Sequence, residues 1–480
     1  MDFQRLVSEH KWIVLFATVI SVLVFALSPA EPLLYDNALY TDISKNLLKS
    51  GCFCSNYQQQ PTTPPIFPLL EAGFMLAFGE GFIKPMLAFI AAFAILSSYL
   101  LTLRISRNKR TALLSTIFLF MTPLVFYNSL LPLMDLIFSG LIFLSIWSYI
   151  EFIEKGSKSN IFICAIITAL AIMTKFTGYL LFPIYIIYFL VRRNRLKIGV
   201  KQILFLFMLI IIFLLPWSIW RFALASNEAK VAGVFFSGLG YGHLVFRLES
   251  FFYNGEPVNM IPLSIDTNVP IQLVNLARIL ATLIIYATPL MAISFAYFLL
   301  KRKKFGKNKY DGLMIIWFFA FFIFHIIGFS YFGARYLIPF ALPLAFLFVR
   351  FIEANLNKRK LIAISLILLQ AVLVVGISYF IFKENLSENN TQIFEEAGLW
   401  IRDNTPPVTT VLPLGAPSGA LVYYGERKVV GTNETADIIV ESNFWYSISL
   451  DQYEKEHGID FTQIKEFSDS RYFARIYKKT

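Results

Sequence analysis

The chain has 480 residues, of which 57% are hydrophobic and only 15% are charged, and its mean hydropathy is +0.63. Because roughly a quarter of the residues of a soluble globular protein are charged, this composition excludes an ordinary soluble fold and indicates that lipid is the main solvent. The formal net charge of +11 comes from short basic clusters between apolar runs, which is typical of cytoplasmic loops and gives no support for nucleic-acid binding.

Apolar runs of about 18 residues or more indicate the membrane spans, and the basic clusters between them give the orientation. If every basic cluster is cytoplasmic, each interval between neighbouring clusters contains an even number of spans. This rule predicts a multi-pass protein of the plasma membrane with a cytoplasmic N-terminus, about eleven spans and an extracytoplasmic C-terminus. The predicted spans are 12–30, 82–103, 112–130, 133–153, two short helices within 161–190, 201–221, 271–300, 311–330, 336–351 and 361–382.

Two amphipathic or interfacial helices are predicted in the first outer loop, 31–81. Apolar residues recur every four positions from Leu39 to Leu47, which indicates a helix that begins near Asp36 and stops at Gly51. The second helix, 64–78, opens with two prolines and is short for a span, so we expect it on the outer membrane surface.

Asp36 has two interpretations. Asp is favoured at helix N-caps, which gives it a purely structural role. Alternatively, it is a carboxylate held at the membrane edge, able to accept a proton from a hydroxyl or an amine. The sequence pattern leaves both open.

Three cations are predicted at outer span ends, namely Lys175, Arg221 and Arg335. The stretch 161–190 is too long for one span, so we predict two short helices that turn at 174–178 and leave Lys175 below the outer surface, facing protein or a water-filled cavity. Taken singly, each of the three cations is explained as an interface anchor, whose long side chain extends to the polar surface of the membrane. Together they favour an anionic ligand, such as a lipid phosphate.

The other polar residues receive structural interpretations. We expect Asp135 to cap the helix that begins there, His325 to be a hydrogen-bonded core residue, and Cys52 and Cys54 to be free thiols, because a bridge across one residue is strained. His243, with scattered acids nearby, gives weak support for a metal, and no cofactor is predicted.

The sequence separates a transmembrane domain, 1–382, with outer loops at 31–81 and 222–270, from a soluble extracytoplasmic domain, 383–480. The latter contains a predicted helix at 391–404 and strands at 409–414, 437–441 and within 467–478, which indicate a small α/β fold. Predicted cytoplasmic loops are short and Gly-rich phosphate loops are absent, so nucleotides are not expected as substrates.

Several short motifs follow one another in a characteristic order. They are Asp36 with Ala38, Tyr40 and Gly51; Pro64-Pro65-Ile66-Phe67-Pro68; 74–79; Asp135; 169–175; Pro216-Trp217; and Arg335-Tyr336-Leu337-Ile338-Pro339. This series resembles the membrane glycosyltransferases of the C-type fold, in the superfamily of the dolichyl-phosphate-mannose protein mannosyltransferase and the aminoarabinose transferase. The chain departs from the family pattern at Thr62 and Thr63, where a charged residue often stands, and at Asn37, where Glu is common. The resemblance therefore does not imply a divalent metal.

The resemblance implies transfer of a sugar, with inversion, from a polyprenyl- or dolichyl-phosphate carrier in the membrane to a protein, lipid or glycan acceptor on the outer side. By this likeness Asp36 is the general base and Lys175 and Arg335 hold the carrier phosphate. Arg221, Asp135 and Tyr40 are further candidates for substrate binding.

Two other functions remain open at this point. A non-catalytic transporter of lipid-linked sugar or polysaccharide would use the same cations, but it should have pseudo-symmetric repeats and midplane charges, which the sequence lacks in any clear form. A recognition module on a membrane anchor would not need about eleven spans.

Overall fold

A computed structural model gives the architecture. It describes residues 9–28, 36–56, 58–59, 63–224, 276–277, 279–281, 283, 289–301, 309–328, 334–356, 364–365, 367–376, 392–414, 416, 418–430, 436–442, 450–468 and 473–480. The predicted outer loop 222–270, including His243, lies almost wholly outside these residues.

Up to residue 376, the described residues are mostly helical. Its helices are α1 (Lys11–Leu27), α2 (Asp36–Ser50), α3 (Ile66–Phe78), α4 (Ile83–Ser106), α5 (Lys109–Phe120), α6 (Pro123–Ser129), α7 (Met134–Lys155), α8 (Lys158–Thr174), α9 (Leu181–Arg192), α10 (Val200–Leu224), α11 (Pro289–Lys301), α12 (Asp311–Gly328), α13 (Ile338–Leu356) and α14 (Ile367–Gly376). Short 3-10 turns occupy Gly79–Phe82, Phe176–Leu180, Arg193–Arg195 and Ala334–Leu337.

The helices have the length and composition of a polytopic membrane protein. Within the described ranges, five helical segments are long and apolar enough to cross a membrane, and α5 with α6 forms a sixth if that bent pair is one span. Five shorter apolar helices accompany them, α1, α8, α14 and most of α11 and α12. The number of about eleven spans stays a prediction, since it depends on how the short helices meet the bilayer.

One predicted span, 112–130, is broken. Its two halves, α5 and α6, are bent by 70° at Met121 and Thr122. Thr122 caps α6 by accepting a hydrogen bond from the Val125 amide, and Pro123 follows it in the first helical position. A proline there favours the start of a new helix, which accounts for the break.

The first outer helices differ in how they continue. Helix α2 covers the predicted segment and ends at Gly51, whose φ of 70° is the left-handed conformation that favours glycine. Helix α3 passes through a 3-10 turn into α4, giving a continuous stretch, Ile66–Ser106, of 41 residues. Because one membrane crossing needs about 20 residues, a single crossing accounts for only about half of this stretch.

The cysteine prediction was wrong. Cys52 and Cys54 are joined in a disulfide, and their Cα atoms are 5.2 Å apart, a separation that disulfides commonly have. Just beyond, β1 (Cys54–Ser55) pairs with β2 (Gln58–Gln59) in a small antiparallel hairpin.

The C-terminal part, here called the tail domain, is built from residues 392–480. Helices α15 (Gln392–Asn404), α16 (Ser418–Gly425) and α17 (Leu450–His457) accompany β3 (Thr410–Leu414), β4 (Lys428–Val429), β5 (Ile438–Ser442), β6 (Phe461–Ser468) and β7 (Phe473–Lys479). The strands form one sheet in the order β4-β3-β5-β7-β6, parallel across β4-β3-β5 and antiparallel across β5-β7-β6. Both faces of this sheet carry a buried apolar cluster.

Helix α7 lies at the centre of the transmembrane core. It packs against α4 on one side and α8 on the other, and its side chains are buried around most of its circumference. A helix that is apolar and buried on all sides is an interior element. Asp135, in the first turn of α7, is buried and therefore faces protein.

Candidate active site

Four charged side chains from four different elements meet at one end of the helical core. Arg335 donates from Nη2 to Asp36 Oδ2 at 2.5 Å, and its Nε lies 3.8 Å from Asp135 Oδ2. Lys175 donates from Nζ to the other oxygen of Asp135, Oδ1. We call Asp36, Asp135, Lys175 and Arg335 the charge cluster.

The fold brings these side chains together from distant parts of the chain. Asp36 is the first residue of α2 and Asp135 lies in the first turn of α7. Lys175 caps the C-terminus of α8, at the predicted turn into Phe176–Leu180, and Arg335 lies in the 3-10 turn before α13. Each of the four elements thus contributes one charged side chain from its end.

The capping interpretation of Asp135 was wrong. The N-cap of α7 is Leu133, which makes no side-chain cap, whereas the Asp135 carboxylate pairs with Lys175. Asp135 is only 2% exposed, and a buried cation needs a counter-ion close by. The need to neutralise Lys175 therefore explains Asp135 better than helix capping does.

The cluster has a buried end and an open end. The side chain of Asp135 is 2% exposed, whereas that of Asp36 is 44% exposed. The four formal charges cancel, since two carboxylates face two cations. Asp36 is thus the member of the cluster that a substrate reaches most easily.

One aromatic ring, that of Tyr336, lies against both cations. Lys175 Nζ lies 4.3 Å from the centre of the Tyr336 ring, and the Arg335 guanidinium lies 5.5 Å from the same ring. His325 is buried beneath them, where its Nδ1 hydrogen-bonds the Phe321 carbonyl, as the core interpretation predicts. Cation–π contacts of this kind hold cations in a fixed place.

Tyr40 lies one helical turn after Asp36. Its hydroxyl points to Met134 Sδ at 4.0 Å, and its ring packs edge-on against Phe67. Burial, reinforced by the nearby Asp36 carboxylate, raises the pKa of Tyr40 well above its ordinary value. Tyr40 therefore remains a neutral hydroxyl close to Asp36.

A buried carboxyl group that the sequence reasoning missed anchors α2 to α3. Glu71, fully buried on α3, accepts hydrogen bonds from Thr41 at 3.4 Å and Ser44 at 3.1 Å. Ser44 also lies 2.9 Å from the Pro68 carbonyl. The polar face of α2 is thus buried too, which an amphipathic pattern alone does not show.

Arg221 lies apart from the charge cluster. Its guanidinium stacks on the Phe176 ring at 4.8 Å, and it is 9% exposed. Its Nη1 and the Trp217 Nε1 are buried and have no hydrogen-bond partner among the described residues. Both groups are donors, and they stand one helical turn apart on α10.

The structure gives no sign of a metal site within the ranges it describes, where no three His, Cys, Asp or Glu side chains are grouped closely enough to hold an ion. In the charge cluster, the carboxylate of Asp36 is paired with Arg335 and that of Asp135 with Lys175.

Comparisons with known proteins agree with the motif order. Residues 62–220, about a third of the chain, match the sequence model of the family described as dolichyl-phosphate-mannose-protein mannosyltransferase. Asp135 and Lys175 fall inside this region, whereas Asp36 and Arg335 fall outside it. An uncharacterized protein of Aquifex aeolicus is 27% identical over 160 residues, a match that covers only 32% of each of the two chains.

Two solved structures share the fold over almost the whole chain. ArnT from Cupriavidus metallidurans, bound to undecaprenyl phosphate, has a TM-score of 0.65 at 14% identity and covers 97% of this chain and 98% of its own. The archaeal oligosaccharyltransferase AglB from Archaeoglobus fulgidus, in complex with an inhibitory peptide and a dolichol-phosphate, has a TM-score of 0.60 at 14% identity and covers 97% and 74%. The resemblance stated from the sequence is confirmed.

Proposed function

We propose that this chain belongs to the superfamily of C-type membrane glycosyltransferases, which it resembles in sequence and fold, and that it moves a sugar from a polyprenyl- or dolichyl-phosphate carrier to an acceptor on the outer side of the membrane. The observation that carries this proposal is the charge cluster, in which a half-exposed carboxylate stands beside two partly buried cations. The proposal retains the predicted topology, with the N-terminus cytoplasmic and the tail domain outside.

Asp36 is the proposed general base. The acceptor oxygen or nitrogen attacks the anomeric carbon, and its proton passes to Asp36. The bond from that carbon to the phosphate oxygen breaks, and its electron pair leaves with the carrier phosphate. Attack opposite the leaving group inverts the anomeric configuration. A phosphate is already a weak base, so the leaving group needs charge stabilisation and no general acid.

Lys175 and Arg335 are the proposed phosphate ligands within the cluster, with Tyr40 beside the sugar. Both cations already have carboxylate partners, so their charge is partly neutralised. Arg221 has no acidic partner among the described residues, and its neighbour Trp217 offers a second unused donor. We therefore propose Arg221 as an anchor for the phosphate, because an anion gains most from a cation without a counter-ion.

The test uses the purified protein in lipid nanodiscs with labelled polyprenyl-phosphate sugars and a panel of protein, lipid and glycan acceptors. Wild type should release polyprenyl phosphate and label one acceptor. Asp36→Asn should reduce the transfer rate by about 10²–10⁴-fold, which is the usual contribution of a general base. Its affinity for the carrier should not fall, since Asp36 does not contact the phosphate in this scheme and its neutralisation leaves Arg335 with more charge for the phosphate.

Glu80→Gln is the matched control, because Glu80 is an exposed acid in the turn between α3 and α4. It should transfer at the wild-type rate. Undiminished transfer by Asp36→Asn would remove Asp36 as the base. Movement of lipid-linked sugar across vesicle membranes without any transfer would favour the transporter.

A further inference from the structure

The tail domain is attached to the helix that carries Asp36 by directional hydrogen bonds at its sheet edge. Strand β4 is the edge strand, paired only with β3 among the described strands. Both backbone polar groups of Val429 hydrogen-bond to the side chain of Asn56. Asn56 Nδ2 donates to the Val429 carbonyl at 2.7 Å, and the Val429 amide donates to Asn56 Oδ1 at 2.7 Å. The Asn side chain thus pairs as a neighbouring strand would.

Asn56 connects this edge directly to α2. It lies in the turn between β1 and β2, and its backbone amide donates to Asp42 Oδ2 at 3.3 Å. Asp42 is buried on α2, less than two turns after Asp36. One chain of contacts therefore runs from the tail sheet through Asn56 to the helix that carries the proposed base.

A second contact lies beside the first. Glu426, at the end of α16, accepts a hydrogen bond from Lys45 of α2 at 3.0 Å, and Lys45 Nζ lies 5.0 Å from the centre of the Tyr423 ring. Helix α16 itself packs against α2. The tail domain thus holds α2 at two points that lie on different elements of the tail.

Both tail contacts use residues with unusual backbone geometry. Asn56 has φ of 52° and Glu426 has φ of 48°, in the left-handed region that most L-residues avoid. Such conformations persist where the surroundings hold them in place, and they cluster at sites where position matters. Asn56 lies in a two-residue hairpin turn and Glu426 directly follows the end of α16, and this backbone conformation is common at both kinds of position.

We propose that Asn56 and Glu426 are positioning residues. They hold the tail domain on α2, and this keeps Asp36 in its place beside the cations of the charge cluster. This inference rests on the proposed function, because its catalytic consequence is the placement of a base. Misplacing a reacting group by about 1 Å costs as much as a hundredfold in rate.

Asn56→Gly is the most informative variant, since it removes the side-chain amide while glycine accepts the left-handed backbone without steric strain. We expect faster hydrogen exchange in the peptide that contains Val429, because its amide loses its acceptor. The transfer kcat should fall about tenfold to a hundredfold, with the KM for the carrier unchanged.

Reversing the charges of Lys45 and Glu426, singly and together, tests whether their ion pair holds the tail domain. Lys45→Glu and Glu426→Lys should each speed exchange around Val429 and lower kcat, and the double variant should restore both. Unchanged exchange in Asn56→Gly would show that the attachment does not exist in solution. Faster exchange with an unaltered kcat would show that the tail docks without positioning Asp36.

The two readouts separate this inference from the proposed function. Absence of transfer by wild type with every carrier would overturn the proposed function, and the positioning role with it. Hydrogen exchange would still show whether the tail domain is held on α2.

Discussion

Asp135 determines how the charge cluster is organised. It is almost fully buried and faces both Lys175 and Arg335, at the start of the central helix α7. Separating a buried ion pair by removing one partner is costly because an uncompensated charge remains in a poorly solvated place. We therefore expect Asp135 to position the two cations, with little direct contact to the sugar.

This role predicts that the stability effects of substituting Asp135 and Lys175 are not additive. Asp135→Asn leaves Lys175 buried without its carboxylate and should destabilise the protein by about 3–5 kcal/mol. Lys175→Met should cost less, because Asp135 retains Arg335 as a neighbour. The double variant should be more stable than the sum of the single changes indicates, when measured by thermal unfolding in one detergent. It should nevertheless bind the carrier weakly.

An exposed ion pair in the tail domain provides the control. Arg475 and Glu466 lie 3.1 Å apart, and each side chain is 37% exposed. Neutralising either one should cost only about 0.2–1 kcal/mol. Additive effects at Asp135 and Lys175, of the size seen at this control pair, would contradict the buried pairing.

The sequence alone indicated Asp36 and the cations that approach it, but not the pairing of Asp135 with those cations. Asp36, Lys175 and Arg335 stand out because charge is rare at membrane depth. The pairing of Asp135 with Lys175 was not visible, since a carboxylate at a helix start also fits a cap. Glu71 was missed for a similar reason, as its partners Thr41 and Ser44 lie on another helix.

At the scale of elements, the turn after α8 decides where Lys175 points. Gly178 lies in this turn, packed against the preceding helix. A Cβ added at Gly178 would come within 2.9 Å of the Ile172 Cα atom, which is backbone and does not move aside. The turn is therefore closed tightly on α8, and its geometry depends on that glycine.

Gly178→Ala should displace the turn and move Lys175 away from the charge cluster. We expect carrier affinity to fall about tenfold, as for the loss of one charge-assisted hydrogen bond, together with a lower unfolding temperature. Gly199→Ala is the control, because nothing lies within 4 Å of its added Cβ. Wild-type affinity and stability in Gly178→Ala would mean that the turn accommodates a side chain.

Local signals explain which elements were predictable. Helix α2 and the turn at Lys175 follow from apolar spacing, from Gly51 and from the length of the apolar stretch. The break between α5 and α6 was missed, although Thr122 before Pro123 is a recognisable start signal. In the tail domain, the short elements α16, α17 and β4 had no clear pattern, because their length offers too few periods.

At the scale of the whole molecule, composition was sufficient to assign a polytopic membrane protein. Hydropathy reports the solvent of each segment, and this depends little on tertiary contacts. How the tail domain meets the first outer loop could not be predicted, because that contact joins Asn56 and Val429 across most of the chain. The number and orientation of spans remain predictions, since they depend on the bilayer as well as on the fold.

The attachment of the tail domain should weaken in acid. The pKa of Glu426 lies below its ordinary value of 4.5, because Lys45 donates a hydrogen bond to its carboxylate and Lys49 and Arg402 add positive charge, although partial burial opposes this. A carboxyl group with a lowered pKa stabilises the docked state above its ordinary pKa, and this contribution disappears as the pH falls through the lowered value. Hydrogen exchange around Val429, corrected for the intrinsic rate at each pH, should therefore rise below pH 4.5.

The Glu426→Gln variant isolates this titration. Asp42 also faces the interface, and burial raises its pKa, so wild type alone would report two groups. Glu426→Gln should show the loosened exchange at neutral pH and lose most of the acid-dependent change, whereas Glu456→Gln, on the exposed side of α17, should behave as wild type. Because Glu426 is 42% exposed, solvent screens the pair and we expect an effect of only about twofold to fivefold. An acid-induced change of equal size in Glu426→Gln would assign the pH dependence to Asp42 and leave Lys45 and Glu426 without a measurable part in it.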